Sequence, residues 1–177
     1  VAPGYMAVGD AAGHVNPTTG GGIAGAAYAG AYAGEAAIDG LEDGDVSEAA
    51  LWEYNERVMD HFGGRYAGGE VYNILKKGGA VDELMVLLAS IPAENHSEAL
   101  YAGTAEFGLG LKLRTLVGSL GHVGLLRRLY RTKSAADELM AHYERYPDSP
   151  DAFAQWQAER DEIMERVAAA TGAERKY

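Results

Sequence analysis

The sequence predicts a mostly helical chain with a single short strand at its start. Three observations carry that expectation. An apolar run, Tyr5-Met6-Ala7-Val8-Gly9, ends in turn-forming residues, as a buried strand does. A segment made almost wholly of Gly, Ala, Tyr and Ile follows, from Gly22 to about Ile38. Beyond it, apolar residues recur at helical spacing between Gly and Pro stops. A lone strand cannot pair its own backbone. Its partners are therefore expected outside these 177 residues, with the chain forming the C-terminal part of a larger protein.

The elements follow in order. Residues 5–9 are the strand, with Asp10 at its carboxyl end, and residues 11–21 are loop. Residues 22–38 form a buried helix ended by Asp39-Gly40. On it Gly22, Ala26, Gly30 and Gly34 recur every four residues, a small face that admits another backbone or a cofactor closely. Residues 41–46 are an acidic turn. Ser47 then caps a second helix over roughly 47–76, striped by Leu51, Tyr54, Val58, Phe62 and Tyr66. The glycine pairs at 63–64 and 68–69 are potential breaks in it, and the pair at 78–79 its end. Helices over 80–90, 97–107, 109–132, 134–146 and 150–171 complete the chain, with Pro92, Pro147 and Gly172 as stops.

Composition narrows the function classes. A hydrophobic fraction of 47% with 9% aromatics excludes a wholly disordered chain, and the absence of cysteine excludes disulfides and thiolate metal or redox sites. A net charge of −11 argues against nucleic acid as the main partner, since phosphates demand positive fields. It also suits a protein kept soluble in high salt. No run of about 18 apolar residues suggests a spanning helix. The start, Val1-Ala2-Pro3-Gly4, has no charged signal region, so a cytoplasmic setting is expected. His61, His96, His122 and His142 lack metal-ligand spacing, and Ser119 and Ser134 lack the context of a nucleophile. Trp52 and Trp156 sit in amphipathic segments and read as packing residues.

The chemistry concentrates in residues 9–25, GDAAGHVNPTTGGGIAG. A carboxylate at a strand's carboxyl edge lies where open α/β sheets bind ligands, and Asp10 can accept hydrogen bonds from sugar or ribityl hydroxyls there. Gly20, Gly21 and Gly22 open a helix whose first amides are unpaired donors with partial positive charge, a site for an anion. Gly20, Gly22 and Gly25 formally match G-x-G-x-x-G. The dinucleotide fingerprint, however, follows its strand directly and precedes a second strand, so that reading is rejected. A helix made small only for packing is the alternative.

The run GDAAGHVNPTTGGGIAGAAYAG, residues 9–30, resembles the second flavin-binding motif of FAD-dependent oxidoreductases with the hydroxybenzoate-hydroxylase fold. The wording Asn-Pro-x-x-Gly-Gly-Gly-Ile from Asn16, with Gly34-Glu35-Ala36-Ala37 after it, resembles the geranylgeranyl reductase family, in particular an archaeal branch acting on phospholipid-linked chains. The resemblance implies the last core strand of an FAD-binding α/β domain and its Gly/Ala helix in residues 1–40, then a helical C-terminal region over 41–177. It implies that Asp10 bonds the ribityl chain of FAD, with Gly22 and Ile23 placing amides near the flavin's pyrimidine edge. Pro17 would fix the loop on the isoalloxazine side, and Gly9 and Gly21 complete the cofactor-binding set. His14 is expected to face the active-site cavity. The implied reaction is reduction of isolated double bonds in isoprenoid phospholipid precursors, with NAD(P)H or ferredoxin as electron donor and no assignable catalytic residue. The chain alone is expected to be inactive, because the family's amino-terminal dinucleotide motif has no counterpart in it. The rival readings are an FAD-dependent aromatic monooxygenase or halogenase, and a non-enzymatic helical lipid-binding module.

Residues 107–136 hold no Asp or Glu but six cations: Lys112, Arg114, Arg127, Arg128, Arg131 and Lys133. They are also rich in Leu. Such a segment can lie on an anionic membrane surface, with Arg127, Arg128 and Arg131 gripping a phospholipid headgroup. It can equally be a core helix whose cations pair with neighbouring acids.

Overall fold

A computed structural model describes residues 1–75 and 123–171 of the chain. Among these described residues are five α-helices: α1 (Ile23–Asp43), α2 (Trp52–Val58), α3 (Gly64–Leu75), α4 (Val123–Tyr143) and α5 (Phe153–Thr171). A π-helical turn, Met59–Gly63, joins α2 to α3 without interruption, and short 3₁₀ turns occupy Gly9–Ala12 and Pro150–Ala152. The helices expected over 80–90 and 97–107, most of that over 109–132, and the stops at Gly78-Gly79 and Gly172 lie outside the described residues.

The expected strand at 5–9 is not formed. The extended pairing among the described residues is one antiparallel bridge between Ala2 and Tyr5, closed by reciprocal bonds of 2.9 Å. Val8 is extended, at φ −132° and ψ 163°, but no strand lies beside it, so the apolar run has nothing to pair with. Its backbone finds other partners. Gly4 N–H donates to the Val46 carbonyl at 2.8 Å, and the Ala7 carbonyl accepts the Tyr54 hydroxyl at 2.5 Å. Burial pushes that hydroxyl's pKa up to about 12. Asp10 accordingly sits in a 3₁₀ turn rather than at a strand end.

Helix α1 begins close to expectation but runs through Gly40 and into the predicted acidic turn. The stop is Gly44, left-handed at φ 71°, whose N–H bonds back to the Gly40 carbonyl. Gly40 itself is buried, and a side chain there would start 2.8 Å from the Asp45 carbonyl oxygen. The expectation of a buried helix holds for one face only, through Gly25, Ala29, Ala36 and Gly40. Ile23, Ala27, Gly30, Gly34, Ile38 and Leu41 form an apolar row along the exposed side, Leu41 at 73% and Ile23 at 90% exposure.

Ser47 does not cap the helix as expected: its hydroxyl accepts Ala50 N–H at 3.2 Å within the preceding turn, and α2 starts at Trp52 with Leu51 as N-cap and no side chain capping it. The glycine pairs at 63–64 and 68–69 do not break the helix; Gly63, Gly64 and Gly68 let α4 approach, and Gly69 lets the loop at Pro17 and Thr18 approach. A side chain on Gly63 would lie 3.3 Å from the Tyr143 ring, and one on Gly68 3.0 Å from Met140 Cγ. The predicted division between 109–132 and 134–146 is absent, because Thr132, Ala136 and Leu139 continue one buried stripe.

Two apolar clusters result. Ala29, Ala36, Tyr54, Val58 and Phe62 fill the space between α1 and the α2–π segment, with Val1 and Met6 against them. Val71, Ala136, Leu139, Ile163 and Val167 join α3, α4 and α5. Both tryptophans pack, as expected. Trp156 Nε1–H donates to the His142 carbonyl at 3.2 Å, and His142 Nε2 lies 3.0 Å from the Trp156 carbonyl, with the rings stacked at 4.8 Å. Trp52 Nε1–H donates to the Pro147 carbonyl at 2.8 Å.

Candidate functional site

The site grows from Gly9, whose φ of +62° only glycine adopts readily. The left-handed residue starts the 3₁₀ turn, and Gly13, at φ +71°, ends it by donating to the Asp10 carbonyl. His14 closes the turn twice. Its N–H donates to the Gly9 carbonyl at 3.0 Å, and its Nδ1 accepts Gly9 N–H at 3.2 Å. Accepting through Nδ1 requires a neutral ring protonated on Nε2. Burial lowers the His14 pKa, which favours that form. The ring is 6% exposed and meets Phe62 edge-on at 5.3 Å, so it does not face an open cavity as expected.

The next loop is stapled by Asn16. Its Oδ1 accepts Thr18 N–H at 2.8 Å and Thr19 N–H at 3.3 Å, and its carbonyl accepts Gly20 N–H at 2.8 Å. Gly21 gives its N–H to Thr19 Oγ1 at 3.2 Å, so that amide is already engaged. Pro17 points the loop at α3. Its carbonyl accepts Asn73 Nδ2 at 2.5 Å, and its ring lies 3.1 Å from where a Gly69 side chain would begin.

The loop delivers the chain to α1 with Gly22 as its N-cap and no side chain capping the helix. Asp10 Oδ1 lies 3.0 Å from the position of a Gly22 Cβ. A Cβ on Gly25 would stand 2.5 Å from the His14 carbonyl oxygen, closer than any packing tolerates. Asp10 and Ile23 are exposed. An accepting carboxylate thus borders a helix N-terminus rich in donors. That pairing suits a ligand bearing hydroxyl groups and an electron-rich edge. Of the predicted set, Asp10, Gly22, Ile23 and Gly9 come together here; Gly21 and Pro17 hold the loop.

Sequence reasoning missed Phe62's role and the π-turn beneath it. A signal existed: Tyr54, Val58, Phe62 and Tyr66 are three successive four-residue steps, each about 40° beyond a full α-helical turn. The wider π-turn absorbs that drift. It also carries His61, whose Nδ1 lies 2.7 Å from the Tyr32 hydroxyl, beside a cavity of about 610 Å³.

The basic segment is described in part. Arg127 and Arg131 are exposed on α4, with Tyr130 between them 76% exposed. Lys133 bonds Asp137 one turn on, at 2.6 and 2.8 Å, and that bond raises its pKa. The side chain of Arg128, with Lys112 and Arg114, lies outside the described residues.

No family model matches the chain. It does match curated proteins that share one printed name, digeranylgeranylglycerophospholipid reductase. The Sulfolobus acidocaldarius protein is 26% identical over 163 residues, 91% of this chain and 36% of the relative. That of Methanothermobacter thermautotrophicus is 36% identical over 99 residues, 56% of this chain and 23% of the relative. A Methanococcoides burtonii protein is 48% identical over 67 residues, 38% of this chain and 16% of the relative. The chain is therefore similar to proteins that carry a geranylgeranyl reductase name, in line with the motif resemblance. It spans about a third of the length of the first of these relatives.

Proposed function

We propose that this chain forms one edge of the flavin site in an FAD-dependent reductase. The reductase saturates carbon–carbon double bonds of geranylgeranyl chains in archaeal membrane phospholipid precursors. The observation that carries the reading is the Asp10 carboxylate set against Gly22 at the uncapped start of α1. The names of the relatives support the substrate class.

The residues fit the cofactor. A bound flavin would supply the hydride that saturates the alkene. Asp10 accepts hydrogen bonds from ribityl hydroxyls, and its exposure leaves it free to do so. The amides of Gly22 and Ile23 would hold the pyrimidine edge, where the helix N-terminus would favour the negative charge gained on reduction. The absence of a side chain at Gly22 keeps that approach open. Gly9 supplies the turn that presents Asp10, while Gly21 and Pro17 hold the loop in place. Arg127 and Arg131, flanking exposed Tyr130, serve a second role at an anionic membrane surface.

The test uses the complete reading frame that contains these residues. The purified protein is expected to retain FAD. With NAD(P)H or reduced ferredoxin it is expected to saturate an unsaturated archaeal-type phospholipid, read by mass. A preparation that neither retains flavin nor reduces the lipid overturns the reading.

A further inference from the structure

We propose that His14 is a positioning residue for this flavin site, acting through Gly9 to set the place of Asp10; the inference rests on the function proposed above. Gly9 precedes Asp10 directly and is held by His14 from both sides, its N–H by the ring and its carbonyl by the His14 backbone. The His14 carbonyl in turn lies against Gly25, three residues beyond Gly22 at the start of α1. One residue therefore touches both halves of the site, the turn carrying Asp10 and the helix carrying the amides. Its ring packs nearly perpendicular to Phe62 of the π-turn, at 76° with centroids 5.3 Å apart. The order of dependence is Phe62, His14, Gly9, Asp10.

Only a neutral imidazole can do this. A protonated ring presents N–H to the N–H of Gly9, and the turn loses its inner tie. Among the described residues, the titratable groups placed near it are these. Asp10 lies on its own turn, Tyr66 of α3 reaches Gly25 beside it, and His61 adjoins Phe62 in the π-turn. From α1 the neighbouring residues are Gly25 and Ala26, which do not titrate. Protonation of His14 is therefore expected to loosen Asp10 and weaken flavin binding toward acid pH.

The experiment uses the complete reading frame with two substitutions. His14→Leu removes the acceptor and keeps apolar bulk. His14→Asn offers an amide oxygen close to the position of Nδ1 that cannot be protonated. Amide hydrogen exchange of Gly9 is read on the flavin-free protein, and FAD affinity is read between about pH 4.5 and 7.5, from above the ordinary histidine value down through the lowered range. His14→Leu is expected to speed Gly9 exchange and weaken FAD about tenfold, while His14→Asn holds both within about threefold of the parent. The parent is expected to lose FAD affinity toward the acid end, and the Asn variant to lose that dependence. Unchanged FAD affinity in a folded His14→Leu overturns the proposal. So does an Asn variant with the parent's pH profile, which decides the matter alone if the Leu variant does not fold. A parent that binds no FAD overturns the flavin reading, and Gly9 exchange then shows separately whether the clamp exists.

Discussion

The Asp10 carboxylate and Gly22 stand so close that an oxygen of the one lies 3.0 Å from where the other's side chain would begin. An acceptor and the start of a helix are thereby held at one edge, and both are sensitive to small changes.

Asp10→Ala in the complete protein is expected to weaken FAD binding by about 1–3 kcal/mol, the scale of losing a charged hydrogen-bond acceptor. Gly22→Ala pushes the new methyl toward the same carboxylate and is expected to weaken FAD about tenfold with little change in Tm, since Asp10 is exposed and can swing away. Flavin retention after gel filtration checks both. Full retention by both variants would remove this edge from the site.

Gly25→Ala is a different case, because the obstacle is backbone. The methyl would meet the His14 carbonyl at 2.5 Å, and a loss of about 1–3 kcal/mol of stability is expected. Gly30→Ala and Gly34→Ala meet nothing within 4 Å. In the chain by itself each is expected to stabilise α1 by about 0.5–1 kcal/mol. Thermal melts of the three variants compare these directly, and a Gly25→Ala melt equal to the parent's would contradict the contact.

Stability also carries the mark of His14. Burial lowers its pKa in the folded chain, whereas the unfolded chain titrates near the ordinary value of about 6.5. The unfolded state then binds more protons in that window, so the contribution is present above about pH 6.5 and is lost as pH falls toward the lowered folded pKa. The parent's Tm is expected to fall between about pH 7 and 5 more steeply than that of His14→Asn. Parallel curves would show that the ring does not titrate on unfolding.

Arg127 and Arg131 are expected to act together with Tyr130. Each cation near an anionic surface contributes about 1 kcal/mol, so changing both to Gln is expected to weaken vesicle binding by roughly tenfold to thirtyfold at moderate salt. Co-sedimentation of the complete protein with anionic vesicles measures it. Equal binding by variant and parent would leave these arginines as ordinary surface charge.

What could be read from the sequence follows from how local each cause is. The Asn16 loop and the start of α1 are decided by residues within a few positions of one another, and they appear where expected. The strand over 5–9 failed because a strand is made by its neighbour, and among the described residues Val8 has none. Gly40 misled for the opposite reason. Its lack of a side chain serves a contact with the Asp45 carbonyl, and the left-handed residue that ends α1 is Gly44. His14 was misplaced because its position in the resembled motif suggested a cavity-facing role, while the Phe62 ring it packs against lies 48 positions away.

The exposed row on α1 has a consequence for the chain in solution. From Ile23 to Leu41 it runs about 27 Å along the helix with no charged side chain among Ile23, Ala27, Gly30, Gly34, Ile38 and Leu41. At low ionic strength the net charge of −11 keeps copies apart. Raising salt to about 1 M shortens the Debye length to about 3 Å and removes that repulsion. Salts of the sulfate type also strengthen apolar association. The chain studied by itself should therefore sediment as a monomer in dilute buffer and as larger species in concentrated sulfate, the row acting as an adhesive that its acidity holds in check.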